Sequence, residues 1–228
     1  PEVVFLGTGS AIPSKLRNTS CMVVINSEGK AFMFNCGEGI QRICHSNRIK
    51  LSNLEHLFVT NLHWSNVSGG YGLSLTLQDI GMPSFTVHSS EGIKDYFNSV
   101  SAFMKFVTGI TCRAEVCDEG VYQDASIRIQ PIILDKNTCD GRKDYEVASK
   151  KLRKTSKLIA YECSLPDLPG ALNPQKCREL NVPIGPKLAI LKSGSDITLD
   201  DGTVIKSSDV CGPKNRGCNM LIIDCPTI

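Results

Sequence analysis

The spacing of apolar residues changes along this chain, and that change constrains the fold more than any other feature. Between Val3 and Phe34 lie three short apolar runs, Val3–Leu6, Met22–Ile25 and Ala31–Phe34. The first is closed by Gly7-Thr8-Gly9, and the second ends in Asn26-Ser27-Glu28-Gly29, a hairpin-turn composition. Beyond Asn35-Cys36-Gly37-Glu38-Gly39 the spacing becomes helical, with Ile40, Ile43 and Cys44 on one face. Leu57–Thr60 then reads as a buried strand running into Asn61-Leu62-His63-Trp64-Ser65-Asn66. A helical pattern over Leu73–Ile80, a strand at Phe85–Val87 and a second helical pattern at Ile93, Tyr96, Phe97, Val100 and Met104 follow. Further strands are predicted at Ile127–Gln130, Leu158–Tyr161 and Met220–Ile223. Strands first, then strand–helix–strand units, predict an α/β layered domain and exclude a helical bundle or an all-β barrel.

Composition narrows the class. An apolar content of 41% excludes disorder over the whole chain. No apolar run approaches the roughly 18–20 residues that span a bilayer, so no membrane partner is expected. The 11 cysteines are odd in number and contain no Cys-x-x-Cys pair. Cys21, Cys36, Cys44 and Cys163 sit in apolar runs, where cysteine packs as a small hydrophobe, so a reducing, intracellular setting is expected. Net charge is only +2, but Lys150–Cys218 holds 12 Lys+Arg against 7 Asp+Glu. That excess of cations suits an anionic partner.

The chain divides unevenly. Residues 139–156 carry cations and few apolar side chains and read as a basic surface loop within a core over 1–163. Residues 164–198 are rich in Pro and Gly, with a short helical piece at Pro174–Leu180, and 199–228 reads as a return to the core sheet. In the middle stretch Lys176, Arg178, Lys187 and Lys192 accompany Pro183, Gly185 and Pro186, which restrict the backbone or allow close approach. Cations on an extended projection can neutralise phosphates while reading shape. Gly7 and Gly9 lack the Gly-Lys-Ser/Thr of a phosphate loop.

Four ordered motifs carry a family resemblance. Phe5-Leu6-Gly7-Thr8-Gly9-Ser10-Ala11-Ile12-Pro13, Asn35-Cys36-Gly37-Glu38-Gly39, Phe58-Val59-Thr60 leading to Leu62-His63, and Asn181–Lys187 followed by Leu199-Asp200-Asp201-Gly202 are collinear. Together they resemble the tRNA 3′-end processing nucleases (tRNase Z) of the metallo-β-lactamase superfamily. The resemblance implies an αββα layered fold, incomplete at the C-terminus, with a projecting Pro/Gly-rich arm at 164–198 that holds tRNA. The metal motif is degenerate: the family's ligand and base positions fall on Asn61, His63, Ser65 and Asn66, and later ones on Lys136 and Pro226. One imidazole and no carboxylate in the first cluster do not make a binuclear zinc site. Asp224, two residues before Pro226, is expected to fall short of the site by about 6–7 Å.

These details resemble the N-terminal, non-catalytic half of long-form tRNase Z. That likeness implies no metal or catalytic residue in this chain, zinc in a catalytic C-terminal half, precursor tRNA as substrate, and a nuclear or mitochondrial address. It also implies tRNA contact through Lys176, Arg178, Pro183, Gly185, Pro186, Lys187 and Lys192. Two alternatives stand beside it: a hydrolase with an altered metal site using His63, Asp135 and Asp224, or a purely structural half that docks the catalytic one. Trp64 is expected to fill the emptied metal pocket, His45 and His56 to pack or lie at the surface, and His88 to lack a partner.

Overall fold

A computed structural model of the chain describes residues 1–9, 12–104, 111–116, 122–134, 157–167, 170–199 and 202–224. Lys136, Pro226, Asp135 and the basic loop at 139–156 lie outside the described residues. The chain forms two compact units, Pro1–Cys163 with Met220–Ile228, and Ser164–Asn219.

In the first unit, β1 (Glu2–Gly7), β2 (Cys21–Ile25), β3 (Ala31–Phe34), β4 (Leu54–Phe58), β5 (Ser84–Ser89) and β6 (Thr111–Val116) form one sheet in chain order. The β1–β2 and β2–β3 pairs are antiparallel, whereas β3–β4, β4–β5 and β5–β6 are parallel. The sequence dictates this switch. A short turn joins β2 to β3, but the later strands are separated by helices, which are needed to return the chain in the same direction. Helices α1 (Ile40–Ser46), α3 (Gly70–Asp79) and α4 (Ile93–Met104) supply those crossovers, and a short α2 (Trp64–Val67) precedes α3. Strand β4 begins three residues before the predicted apolar run and ends at Phe58, two residues short of its end. There the Val59 N–H bonds the His88 carbonyl of β5, and the Thr60 N–H bonds the Asn35 side chain after β3.

Strand alternation sorts the side chains onto two faces. Val23, Met33, Leu57, Phe85 and Val87 pack with Ile40, Cys44, Leu73, Leu77, Ile93 and Phe97 from the helices. The opposite face carries Phe32, Phe34, His56, Phe58 and His88 toward a second sheet, ordered β12 (Asn219–Ile222), β9 (Leu158–Ser164), β8 (Arg128–Leu134), β7 (Tyr122–Gln123). Between the sheets, Phe58 stacks on Phe34 at 5.2 Å and on His88 at 4.5 Å, and meets Tyr161 edge-on at 5.3 Å. The Tyr161 hydroxyl, 3.0 Å from the Val59 carbonyl and 3.2 Å from that of His88, has its hydrogen-bond partners there. The second helical layer of an αββα arrangement is not among the described residues.

The end of the sheets opposite the site is pinned by polar groups. Asn26 closes the hairpin by accepting from Glu28 and Lys30 N–H at 2.9 Å each, and donates to Ser126 Oγ at 2.6 Å. Asp124 accepts from Ser126, Ile127 and the Lys30 ammonium, the last at 3.0 Å. Burial pushes its carboxyl pKa up, but these donors outweigh burial and hold it well below the ordinary carboxylate range. Cys21, Cys36, Cys44 and Cys163 are buried free thiols, and burial pushes Cys44 up to about 11 and Cys163 up to about 12.

The second unit is built of short helices and one hairpin around a core of its own. Asn173 caps α5 (Pro174–Glu179), accepting from Gln175 N–H at 3.0 Å and Lys176 N–H at 3.3 Å. Gly185, at φ 152°, introduces α6 (Pro186–Lys192), and a hairpin of β10 (Ile197–Thr198) and β11 (Val204–Ile205) leads to α7 (Ser207–Val210). Cys177, Val182, Leu191, Ile197, Ile205 and Val210 form a separate small core. Each proline of the pair Pro174 and Pro186 starts a helix, since its missing N–H is not needed in a first turn. The unit extends past residue 198 to Asn219 because Ile197, Ile205 and Val210 belong to that core.

Candidate functional site: a hydrogen-bonded cluster at the strand ends

The polar residues of the first unit gather at the carboxyl ends of β3 and β4, where loops of an α/β sheet present side chains to a crevice. Asn35 leaves β3 in a left-handed conformation at φ 58°, which asparagine tolerates better than most residues. Its Oδ1 accepts the Thr60 backbone N–H at 2.9 Å and the Thr60 hydroxyl at 3.0 Å. Since a backbone N–H only donates, the oxygen of Asn35 must face Thr60, and its amide nitrogen faces Asp224 Oδ2 at 3.1 Å. Asn66, the third residue of α2, donates from Nδ2 to the same Asp224 oxygen at 2.7 Å. The opposite amide orientation would press two acceptor oxygens together.

The remaining motif residues bond among themselves. Asn61 Oδ1 accepts the His63 backbone N–H at 2.9 Å. His63 Nδ1 lies 2.7 Å from Ser65 Oγ and caps α2, and Ser65 Oγ lies 3.3 Å from Asn66 Oδ1. Backbone packing holds the cluster tight: a Cβ at Gly37 would collide with the Thr19 side chain and the Ser65 carbonyl, and one at Gly69 with the Gly37 carbonyl.

Asn61, His63, Ser65 and Asn66 are thus brought together as the motif requires. Asp224, expected to fall short, reaches the cluster. Strand β12 stops at Ile222, Ile223 is exposed, and Asp224 turns inward to the cluster. Trp64 does not fill a pocket; it is 45% exposed, with its ring 5.6 Å from that of His63. His88, expected to lack a partner, is buried, with Nε2 3.0 Å from Nδ1 of the half-buried His56, which packs as expected. The parallel β4–β5 register seats the two strands side by side and the pair meets across it. Burial, with His56 next, lowers the His88 pKa to about 4.

The donor chemistry of the cluster can be tested against a zinc site. Zinc binds lone pairs of imidazole, thiolate or carboxylate. Here two amide N–H groups point at the one carboxylate, and the one imidazole is spent on a helix cap. Among the described residues no group of three His, Cys, Asp or Glu side chains could hold a metal ion. The described residues of the cluster do not fit a metal.

The tRNA-contact candidates all fall in the second unit. Lys176 and Arg178 are exposed on α5, Lys192 is exposed on α6 and Lys187 is half-buried there. Pro183 and Gly185 are exposed between the helices, beside Ile184, which is 96% exposed, and Pro186 is exposed at the start of α6.

The tRNase Z endonuclease family pattern matches residues 11–69, which span the cluster's Asn35 and Asn61–Asn66. Over 206 residues the chain is 33% identical to the mitochondrial ribonuclease Z of Drosophila melanogaster, covering 90% of this chain and 25% of that protein. The chain belongs to the tRNase Z family. It is also 28% identical to the ribonuclease Z of a Picosynechococcus strain, covering 96% of this chain and 65% of that protein. To human zinc phosphodiesterase ELAC protein 2 it is 24% identical, covering 99% of this chain and 31% of that protein. This tRNase Z chain therefore spans about a quarter to a third of the long relatives. Its fold is that of a long-form RNase Z from yeast, with TM-score 0.56, 20% identity and coverage of 73% of this chain and 26% of that one. Human short-form tRNase Z gives TM-score 0.53 at 21% identity, with 73% and 68% covered. These likenesses place the tRNase Z chain in the metallo-β-lactamase fold.

Proposed function

We propose that this chain is the non-catalytic, tRNA-binding half of a tRNA 3′-processing endoribonuclease, working beside a zinc-bearing catalytic half in the nucleus or mitochondrion. The observation that carries the reading is the donor set at the strand ends. Amide N–H groups of Asn35 and Asn66 meet a carboxylate where a hydrolase of this fold needs lone pairs for metal. With these strand-end residues bonded to one another, substrate binding is the contribution assigned to such a chain.

Binding is assigned to the second unit. Lys176, Arg178, Lys187 and Lys192 lie on α5 and α6, with only Glu179 opposing them on those helices. Positive charge on an exposed helix pair neutralises backbone phosphates, and the Pro183–Pro186 turn brings main chain close to the RNA. The purified chain is expected to bind precursor tRNA in a salt-dependent manner and, with zinc added, to release no 3′ trailer. Cleavage should return on addition of the catalytic half. Trailer release by this chain alone would reverse the assignment.

A further inference from the structure

The Asp224 cluster does more than leave a metal site unbuilt. We infer that Asp224 is a positioning residue for the folded first unit: its carboxylate, gripped by the Asn35 and Asn66 amides, ties the end of β12 to the ends of β3 and β4 without a metal ion. Several observations support the tie. Oδ2 receives two N–H donors, at 2.7 Å from Asn66 and 3.1 Å from Asn35, and hydrogen bonds to an ionised acceptor are the stronger kind. The donors come from two different elements, the loop after β3 and helix α2.

Each donor is itself fixed. Asn35 is oriented by Thr60, and Asn66 by its backbone carbonyl, which accepts Cys36 N–H at 2.7 Å, and by its Oδ1 facing Ser65 Oγ. The contacts also close chain separations of 189 and 158 residues, joining a late strand of the second sheet to the first sheet. Among the described residues, strand β12 has β9 as its one ladder neighbour, so the carboxylate supplies a second attachment for that strand. The network is closed by protein groups, and a cation placed beside Oδ2 would face the positive ends of two amide dipoles.

This inference stands apart from tRNA binding, and its test does not use RNA. Amide hydrogen exchange would be followed in the full chain, in Asp224→Ala, in the size-conserving Asp224→Asn and in Asn66→Ala, with thermal midpoints read in chelator and in added zinc. Asp224→Ala and Asn66→Ala are expected to speed exchange of the β12 amides by roughly tenfold or more, with β5 unchanged. Their double variant should cost less than the sum of the two, because they remove one interaction. The midpoint of the unaltered chain should be the same with chelator, with zinc and with neither. If β12 exchange is unchanged in both Asp224 variants, or if chelator lowers the midpoint of the unaltered chain, the tie is not what holds the strand.

Discussion

The two units handle polar groups in opposite ways. At the strand ends of the first unit, Asn35, Thr60, Asn66 and Asp224 turn inward and satisfy one another. On α5 and α6 of the second unit, Lys176, Arg178 and Lys192 face outward beside the bare Ile184 tip. A site whose donors and acceptors are already matched gains little from a ligand. Exposed cations on a small scaffold still have their charge to neutralise. On the proposed reading, the fold carries a closed former reaction site in one unit and an open binding surface in the other.

That contrast can be broken at several points. The largest effect is expected from Leu191→Ala. Leu191 is fully buried in the second unit's core, and its loss should cost about 2–5 kcal/mol. The damage should stay within residues 164–219, read as faster amide exchange there and unchanged exchange in β2–β5. Global unfolding would show that the second unit has no separate core stability.

Acid should strike the first unit instead. His88 has a folded pKa of about 4, below its ordinary value of 6.5, so folding favours the neutral ring. Its stabilisation is complete above about pH 6.5, falls as pH drops toward 4, and is lost below that, at most about 3 kcal/mol. Denaturant midpoints measured from pH 7 to pH 4 should decline in the chain and stay flatter in His88→Gln.

Replacing Lys176, Arg178, Lys187 and Lys192 together by Ala is expected to weaken precursor-tRNA binding about a hundredfold. The slope of log affinity against log salt should fall by about 3, since each phosphate left without its cation removes about 0.7–0.9 from it. The smallest effect belongs to His63→Ala. Losing the α2 cap should cost about 1 kcal/mol in denaturant unfolding and leave metal content unaltered. A drop in bound zinc in that variant would instead revive a metal role for His63.

Much of the first unit is legible in the sequence alone. The runs at Val3, Met22 and Ala31, the Asn26–Gly29 turn and the α4 spacing correspond to β1, β2, β3, a hairpin and Ile93–Met104. These are local signals, and period and turn chemistry suffice for them. The second unit is harder to read. Its core is assembled from Cys177, Val182, Leu191, Ile197, Ile205 and Val210, whose spacing follows no single period because turns separate them. Helix α6 does leave a signal, a proline at its first position after glycine with Leu188 and Leu191 beyond, but Pro183 and Pro186 together suggest an extended chain.

At the site, the motif singles out Asn61–Asn66, which the structure brings together, while the grip on Asp224 depends on β12 ending at Ile222, a boundary no apolar pattern marks. The His56–His88 contact requires the β4–β5 register, which places His56 opposite Thr86 and Phe58 opposite His88. Pairing across 32 residues is invisible to a reading that moves along one strand at a time.

The most direct test of the division of labour is the binding of one precursor tRNA, titrated at several salt concentrations, to the chain, to the four-cation variant of α5 and α6, and to His63→Ala. The account predicts that the cation variant loses both affinity and salt dependence while His63→Ala keeps both. Undiminished binding by the cation variant, with binding lost in His63→Ala, would place the RNA at the strand ends and contradict it.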